Sequence, residues 1–378
     1  MGYILNDEGN DLLQMVREFA EKEVKPYAAE FDRTGEFPME MYKKGMEMGL
    51  HALEIPAEYG GGGLDYITCA AISEELAKAD AGFSTGISAV GLALKPVLFF
   101  GTPEQKKMFS DIVVNGGMAC FALTEPDAGS DAGATKTTAV RDGDEYVING
   151  SKCFITGAAH SDVMVVFATV DKSKGLKGVT AFIVEANRPG ISIGKEEDKM
   201  GIRLSNTASI SFDDVRVPVD HRLGAEGEGF KIAMVTLDAS RPFVGAGAVG
   251  IAQRALDEAV KYAKERIAFG KPIANLQAIQ FMLADMDIKI ETARQMIIHA
   301  LTLIESKKPH SRESAIAKCY AGDIAMQVTT DAVQILAGYG YSREYPVEKL
   351  MRDAKIFQIF EGTNQIQRVV IAGNLLRK

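Results

Sequence analysis

Residues 278–308 read AIQFMLADMDIKIETARQMIIHALTLIESKK, and their spacing decides what kind of fold this chain builds. Ile279, Leu283, Met286, Ile290, Ala293, Ile297, Leu301 and Ile304 step by three or four throughout. Such a series is one apolar stripe along about seven turns of helix, which is the pattern of a bundle core and not of a chemical site. The next tract, SRESAIAKCYAGDIAMQVTTDAVQILAG (311–338), repeats the logic and stops at Gly338, a residue suited to the position after a helix. Pro346 suits the first turn of a further helix, PVEKLMRDAKIF (346–357). A helical bundle is expected over 229–378.

Upstream the pattern changes. Between 119 and 228 the chain offers short β-branched runs separated by turn signals: DGDEYVING (142–150), VMVVFATV (163–170), AFIVE (181–185) and ISFDDVRVPV (210–219). Before that, helical spacing rules again. In LLQMVREFAEKEVKPYAAEF (12–31) the residues Leu12, Val16, Phe19, Ala20 and Val24 share a face, and AAISEELAKADAGFSTGISAVGLALKPVLFFG (70–101) is a second helical tract rich in small residues. The expected organisation is mainly α with an inserted β domain: a helical domain over 1–118, a β domain over 119–228 and the bundle over 229–378.

Composition narrows the function. The 378 residues are 47% hydrophobic and 25% charged, as in an ordinary globular chain. A formal net charge of −9, with no basic run, argues against nucleic acid as a partner. The amino end lacks a signal-peptide pattern, and no unbroken apolar run reaches about 18 residues, so a cytoplasmic protein without membrane insertion is expected. Cys69, Cys120, Cys153 and Cys319 form no CxxC, and the five histidines show no HxxxH spacing, so neither a disulfide framework nor a metal centre is expected. GAGAVG (245–250) matches a dinucleotide fingerprint by letter, but it lies inside a helical pattern with no strand before it. Its glycines are read as sites of close helix packing or close approach of a ligand, and Pro242 as a kink.

Two stretches carry chemistry. FALTEPDAGSDAGATKT (121–137) is crowded with Thr, Ser, Gly and acids, and such a loop either presents N–H groups and hydroxyls to a polar ring or is a solvated turn. IFQIFEGTNQIQR (356–368) sets Glu361 among apolar neighbours at a glycine break. Either Glu361 favours the dipole of a following helix, or its apolar setting raises its pKa and makes it a base.

Taken with CFITGAA (153–159), KERIAFGKPI (264–273) and QILAGYGYSREYPVEKLMRDAK (334–355), these stretches resemble the acyl-CoA dehydrogenase family. The likeness runs over essentially the whole chain in the family's order, nearest to the medium- and short-chain branches. It implies a helical N-terminal domain, a β-barrel-like middle domain and a C-terminal four-helix bundle. It further implies FAD, a homotetramer, an acyl-CoA substrate oxidised to the 2-enoyl-CoA, and electron-transfer flavoprotein as the electron acceptor.

By the same resemblance, Phe121, Leu123, Thr124, Phe154, Ile155 and Thr156 would face the flavin ring, with Ser130 at substrate or ribityl. Arg266, Phe269 and Gln277, with Gln334, Ile335 and Gly338, would hold the distal end of a neighbouring subunit's FAD. Thr363 and Gln365 would close on the flavin, and Asp238 and Arg241 would line the thioester site. Glu361 matches the catalytic base. Relatives that carry the base on the other helix have it where this chain has Ser240, which cannot take such a proton. Two departures stand out: Phe154 replaces a tryptophan found beside the flavin in many relatives, and Phe83 stands where the glutaryl-type branch has an arginine. A compact or cyclic acyl group, the reverse reductase direction, an oxygen-using oxidase and a non-catalytic scaffold stay open as alternatives.

Overall fold

The computed structural model describes residues 2–376. Six helices come first: α1 (Asp7–Phe19), α2 (Ala28–Thr34), α3 (Met39–Glu47), α4 (Tyr66–Ala79), α5 (Ala81–Phe100) and α6 (Pro103–Val114). Their starts follow from local chemistry. Asn6, Asp65, Asp80 and Thr102 each accept a hydrogen bond from an otherwise unpaired N–H of the first turn, and Thr102 forms a reciprocal capping box with Gln105. The stripe of Val16, Phe19, Ala20 and Val24 is buried, although the helix widens into a π turn over Ala20–Val24. Helix α5 is long and apolar enough to cross a membrane by length and composition, which the chain's broken apolar runs do not suggest. Two thirds of that segment is instead buried inside the protein.

The middle of the chain forms an eight-stranded mixed sheet: β1 (Ala119–Ala122), β2 (Thr138–Asp142), β3 (Glu145–Thr156), β4 (Val163–Thr169), β5 (Val179–Glu185), β6 (Ile191–Ile193), β7 (Thr207–Pro218) and β8 (Arg222–Leu223). Its order is β6-β7-β3-β2-β4-β5-β8, with β1 added parallel to β4. Strands β4 and β5 are buried on both faces, so they read as unbroken apolar runs. Val163, Val165 and Phe167 pack with helical residues such as Val90 and Phe109, whereas Met164, Val166 and Ala168 pack with Tyr146, Ile148 and Ile210 of β3 and β7. The Gly143-Asp144 turn joins β2 to β3, with Gly143 at φ 66°.

The C-terminal part contains α7 (Gly229–Glu265), a small β9–β10 hairpin (Ile267–Ala268 and Lys271–Pro272), α8 (Gln277–Glu305), α9 (Ser311–Leu336), α10 (Val347–Ala354) and α11 (Asn364–Leu376). Helix α7 runs unbroken through Pro242. The GAGAVG segment lies within it, and a Cβ at Gly250 would come within 2.3 Å of the Glu74 carbonyl oxygen on α4. Those glycines let helices approach closely and open no dinucleotide fold. Helix α9 stops one residue earlier than expected: Ala337, not Gly338, takes the positive φ of 54°. Met286, Ile290, Ala293, Ile297 and Leu301 of the opening stripe are fully buried, and Ile279, Leu283 and Ile304 pack around them half-buried.

Candidate active site

The turn before α11 presents Glu361 to a large cavity. Glu361 adopts φ 51°, a left-handed backbone uncommon for a residue with a side chain, and Gly362 follows at φ 89°. The surrounding structure enforces this. Lys318 Nζ of α9 donates to the Gly362 carbonyl at 2.8 Å and to Asn364 Oδ1 at 3.0 Å. Gln367 Nε2 donates to the carbonyls of Glu361 at 3.3 Å and Gly362 at 2.9 Å. Asn364 Nδ2 ties the helix start to the Cys319 carbonyl at 3.0 Å. Capping of α11 falls to Thr363, whose hydroxyl accepts from the Ile366 N–H at 3.2 Å. The carboxylate of Glu361 is thus not occupied as a helix cap.

That carboxylate meets α7. Ser240 Oγ lies 2.5 Å from Glu361 Oε2 and donates to it, so the two base positions used by different branches of the resembled family are neighbours in space. Burial pushes the pKa of Glu361 up. The Ser240 hydrogen bond and the charges of Lys95, Lys318 and Arg241 offset this only in part. Next to Ser240, Arg241 is almost wholly buried, paired to Asp238, and its Nε has no partner among the described residues. Burial lowers the pKa of that guanidinium, while Asp238 and Glu361 act to raise it. The Glu361 backbone N–H also finds no acceptor among the described residues.

The opposite wall comes from the middle domain. Strand β3 shifts register against β7 between Lys152 and Ile155, and inside that irregularity Phe154 takes φ 56° and stands 66% exposed in the cavity wall. A bulge re-aims a side chain in this way. Behind it, buried Lys152 donates to the Leu123 carbonyl at 3.0 Å and to Glu125 Oε1 at 2.7 Å. Glu125 in turn accepts the Lys136 and Thr137 N–H groups at 2.7 and 3.1 Å. Burial lowers the Lys152 ammonium to about 8 in spite of its carboxylate partner. This hub fixes the loop after β1, so Thr124 and Thr156 reach the cavity with hydroxyls that bond no described residue.

The cavity is about 1000 Å³ in volume. Of the residues singled out from sequence, Phe121, Leu123, Thr124, Ser130, Phe154, Ile155, Thr156, Arg241, Glu361 and Thr363 line it together. Asp238, Arg266, Phe269, Gln277, Gln334, Ile335, Gly338 and Gln365 do not. Arg266 lies over the Tyr339 ring, 5.6 Å from its centroid, beside a 90% exposed Phe269 at φ 50°. Ile335 is buried in the bundle core, so its side chain offers no surface to a ligand. Phe83 is buried against Phe19 and Tyr42, away from the cavity, and Ser84, Thr85 and Ser88 of α5 face it instead. Sequence reasoning passed over Lys95, Lys152 and Lys318. Each is a lysine set alone in an apolar or small-residue run, and that oddity was the available signal.

Three family models match the chain in order: "Acyl-CoA dehydrogenase, N-terminal domain" over 6–116, "middle domain" over 120–215 and "C-terminal domain" over 227–376. A relative described as "Acyl-CoA dehydrogenase, short-chain specific", from Megasphaera elsdenii, is 47% identical over 386 aligned positions covering 100% of both chains. The solved structure of butyryl-CoA dehydrogenase from that organism superimposes with a TM-score of 0.97 at 46% identity, again over 100% of both chains. So does a chain from the work titled "Electron transferring flavoprotein of Acidaminococcus fermentans: Towards a mechanism of flavin-based electron bifurcation", with a TM-score of 0.97 and 49% identity over 100% of both. Matches of this length and identity leave one conclusion: the chain belongs to the acyl-CoA dehydrogenase family.

Proposed function

We propose that this FAD-dependent acyl-CoA dehydrogenase desaturates a short-chain acyl-CoA, with Glu361 as the base that removes the α-proton. The observation that carries the reading is a raised, half-buried carboxylate held at a left-handed turn in the wall of the cavity. The residues present fit the cofactor. An apolar slot of Phe121, Leu123, Phe154 and Ile155 suits a flat ring, and the unpartnered hydroxyls of Thr124 and Thr156 suit its polar edge. Held there, FAD would supply the acceptor that takes the β-hydrogen as hydride.

The chain's own groups do the rest. An α-proton of a thioester is weakly acidic, so Glu361 must be ionised yet basic, and burial supplies the basicity. The free Glu361 N–H is available to the thioester carbonyl, where negative charge develops as the proton leaves. Ser240 steadies the ionised carboxylate between turnovers. Removing the α-proton and the β-hydride leaves the carbon–carbon double bond, and Glu361 holds the proton until solvent takes it. Electrons then pass to an electron-transfer flavoprotein, a reading supported by the likeness to the Acidaminococcus fermentans chain. Arg266, Phe269, Gln277, and Gln334 and Gly338 at the end of α9, which lie off the cavity, hold the distal part of the cofactor of a second copy in a homotetramer.

Glu361→Gln tests the base. The variant keeps volume but cannot take a proton, so it should stay yellow, bind butyryl-CoA, and reduce its flavin about 10²–10⁴-fold more slowly. Reduction within a few-fold of the unmodified rate would place the base elsewhere.

A further inference from the structure

One charged pair in the cavity wall does more than lend its charge to the base. Lys95 is the single charged residue of α5, 2% exposed, and its Nζ lies 2.5 Å from Glu54 Oε2. The ammonium also sits over the Phe243 ring, 4.4 Å from its centroid. Phe243 is about one helical turn beyond Ser240 on α7, and Glu54, Lys95, Phe243 and Glu361 line the same cavity. The charge of Lys95 is felt at Glu361 itself.

The pair is built in, not incidental. Glu54 Oε1 occupies the space over Gly91, where a Cβ would come within 2.4 Å of it. Any larger residue there would push the carboxylate out. Oε1 accepts no hydrogen bond from a described residue, and the Glu54 side chain is 12% exposed in a cavity whose lining also includes Ile72, Leu76 and Phe243. With no protein donor, that oxygen depends on solvent for its hydrogen bonds. An apolar tail that reached it would expel the water and offer nothing in return, and a buried polar group stripped of its partner is disfavoured.

We infer that the Glu54–Lys95 pair is a specificity determinant, which ends the apolar acyl channel and selects against unbranched saturated chains long enough to reach it. The inference rests on the proposed reaction, because it assigns a role within that same cavity. Its basis is the unpaired carboxylate oxygen, not bulk. Lys95→Met alone leaves Glu54 without its counter-ion and should not relieve the exclusion. The apolar double variant Glu54→Leu/Lys95→Met, which leaves no polar group to desolvate, should.

The experiment compares kcat/KM for butyryl- and octanoyl-CoA in the purified flavoprotein, in the single variant and in the double variant, with flavin content confirming the fold of each. The octanoyl-to-butyryl ratio should be low in the unmodified enzyme and in Lys95→Met. It should rise about 10-fold or more in the double variant. An unmodified enzyme that uses both chains equally would overturn the inference, as would an unchanged ratio in the double variant. A Lys95→Met ratio matching the double would overturn it too, since volume would then be the determinant. An unmodified enzyme that holds FAD yet oxidises no acyl-CoA of any length would instead refute the reaction.

Discussion

Glu361 shows how one residue reconciles two opposed demands. Its carboxylate must be basic enough to take an α-proton, which burial provides, yet ionised at neutral pH, which Ser240, Lys95, Lys318 and Arg241 favour. Burial wins, and the native carboxyl holds its proton above the ordinary glutamate value of about 4.3. The consequence for stability has a definite sign. At acid pH both folded and unfolded forms are protonated, and Glu361 contributes no difference. As pH climbs past about 4.3, the unfolded chain loses the proton first, so stability falls until the native carboxyl has also titrated. Glu361→Gln removes that penalty. Its melting temperature relative to the unmodified enzyme should rise as pH climbs past about 4.3 and level off once the native carboxyl has titrated. Turnover of the unmodified enzyme should rise over a range above that of free glutamate, as the native carboxyl ionises. A stability difference that stays flat with pH would mean that the carboxylate is not raised.

Among the elements, the helices were largely legible and the devices that aim the site were not. The stripe Ile279 to Ile304 gave helix α8 because apolar residues spaced by three and four share a face on a helix and on no strand. The β runs around Val163 and Val179 gave buried strands for a similar reason. Glu361 was visible as a carboxylate out of place. What spacing could not show was that Lys318, far upstream and deep in α9, reaches across to hold the Gly362 carbonyl. That contact depends on the packing of α9 against α11, which no local pattern encodes. Burial brings the Lys318 ammonium down to about 8, and its charge lowers the pKa of Glu361. Lys318→Met should therefore do two separable things. Loss of the anchor should lower kcat at every pH, and loss of the charge should move the rise in the pH–rate profile to higher pH. Lys318→Arg, which restores the cation, should bring the profile back. A slower variant with an unmoved profile would assign Lys318 to folding alone.

Over the whole molecule, a buried charge cluster joins the three parts of the chain. Asp80, between α4 and α5, and Asp353 of α10 both bind Lys349 Nζ, at 2.6 and 2.5 Å. The other oxygen of Asp353 accepts the Ile202 N–H from the middle domain at 2.6 Å. Burial opposes the Lys349 charge, but the two carboxylates outweigh it and raise the pKa of the ammonium, while burial raises that of Asp353. Around this node the middle domain packs tightly on α10, since Gly201 passes its backbone so closely that a Cβ would meet the Arg352 carbonyl carbon at 2.6 Å, and Gly201, Ile202 and Arg352 all line the cavity. Lys349→Met leaves two buried carboxylates facing each other without a counter-ion. Breaking such a pair from one side typically costs about 3–5 kcal/mol, whereas replacing all partners by neutral groups is often near-neutral. The single variant should unfold at a clearly lower temperature, recover stability as pH falls and the carboxylates protonate, and lose flavin on dilution. The triple variant Asp80→Asn/Lys349→Met/Asp353→Asn keeps an acceptor for the Ile202 N–H, and most of the stability should return. If the single and triple variants melt alike, the cluster does not join the domains electrostatically, and its effect lies in shape alone.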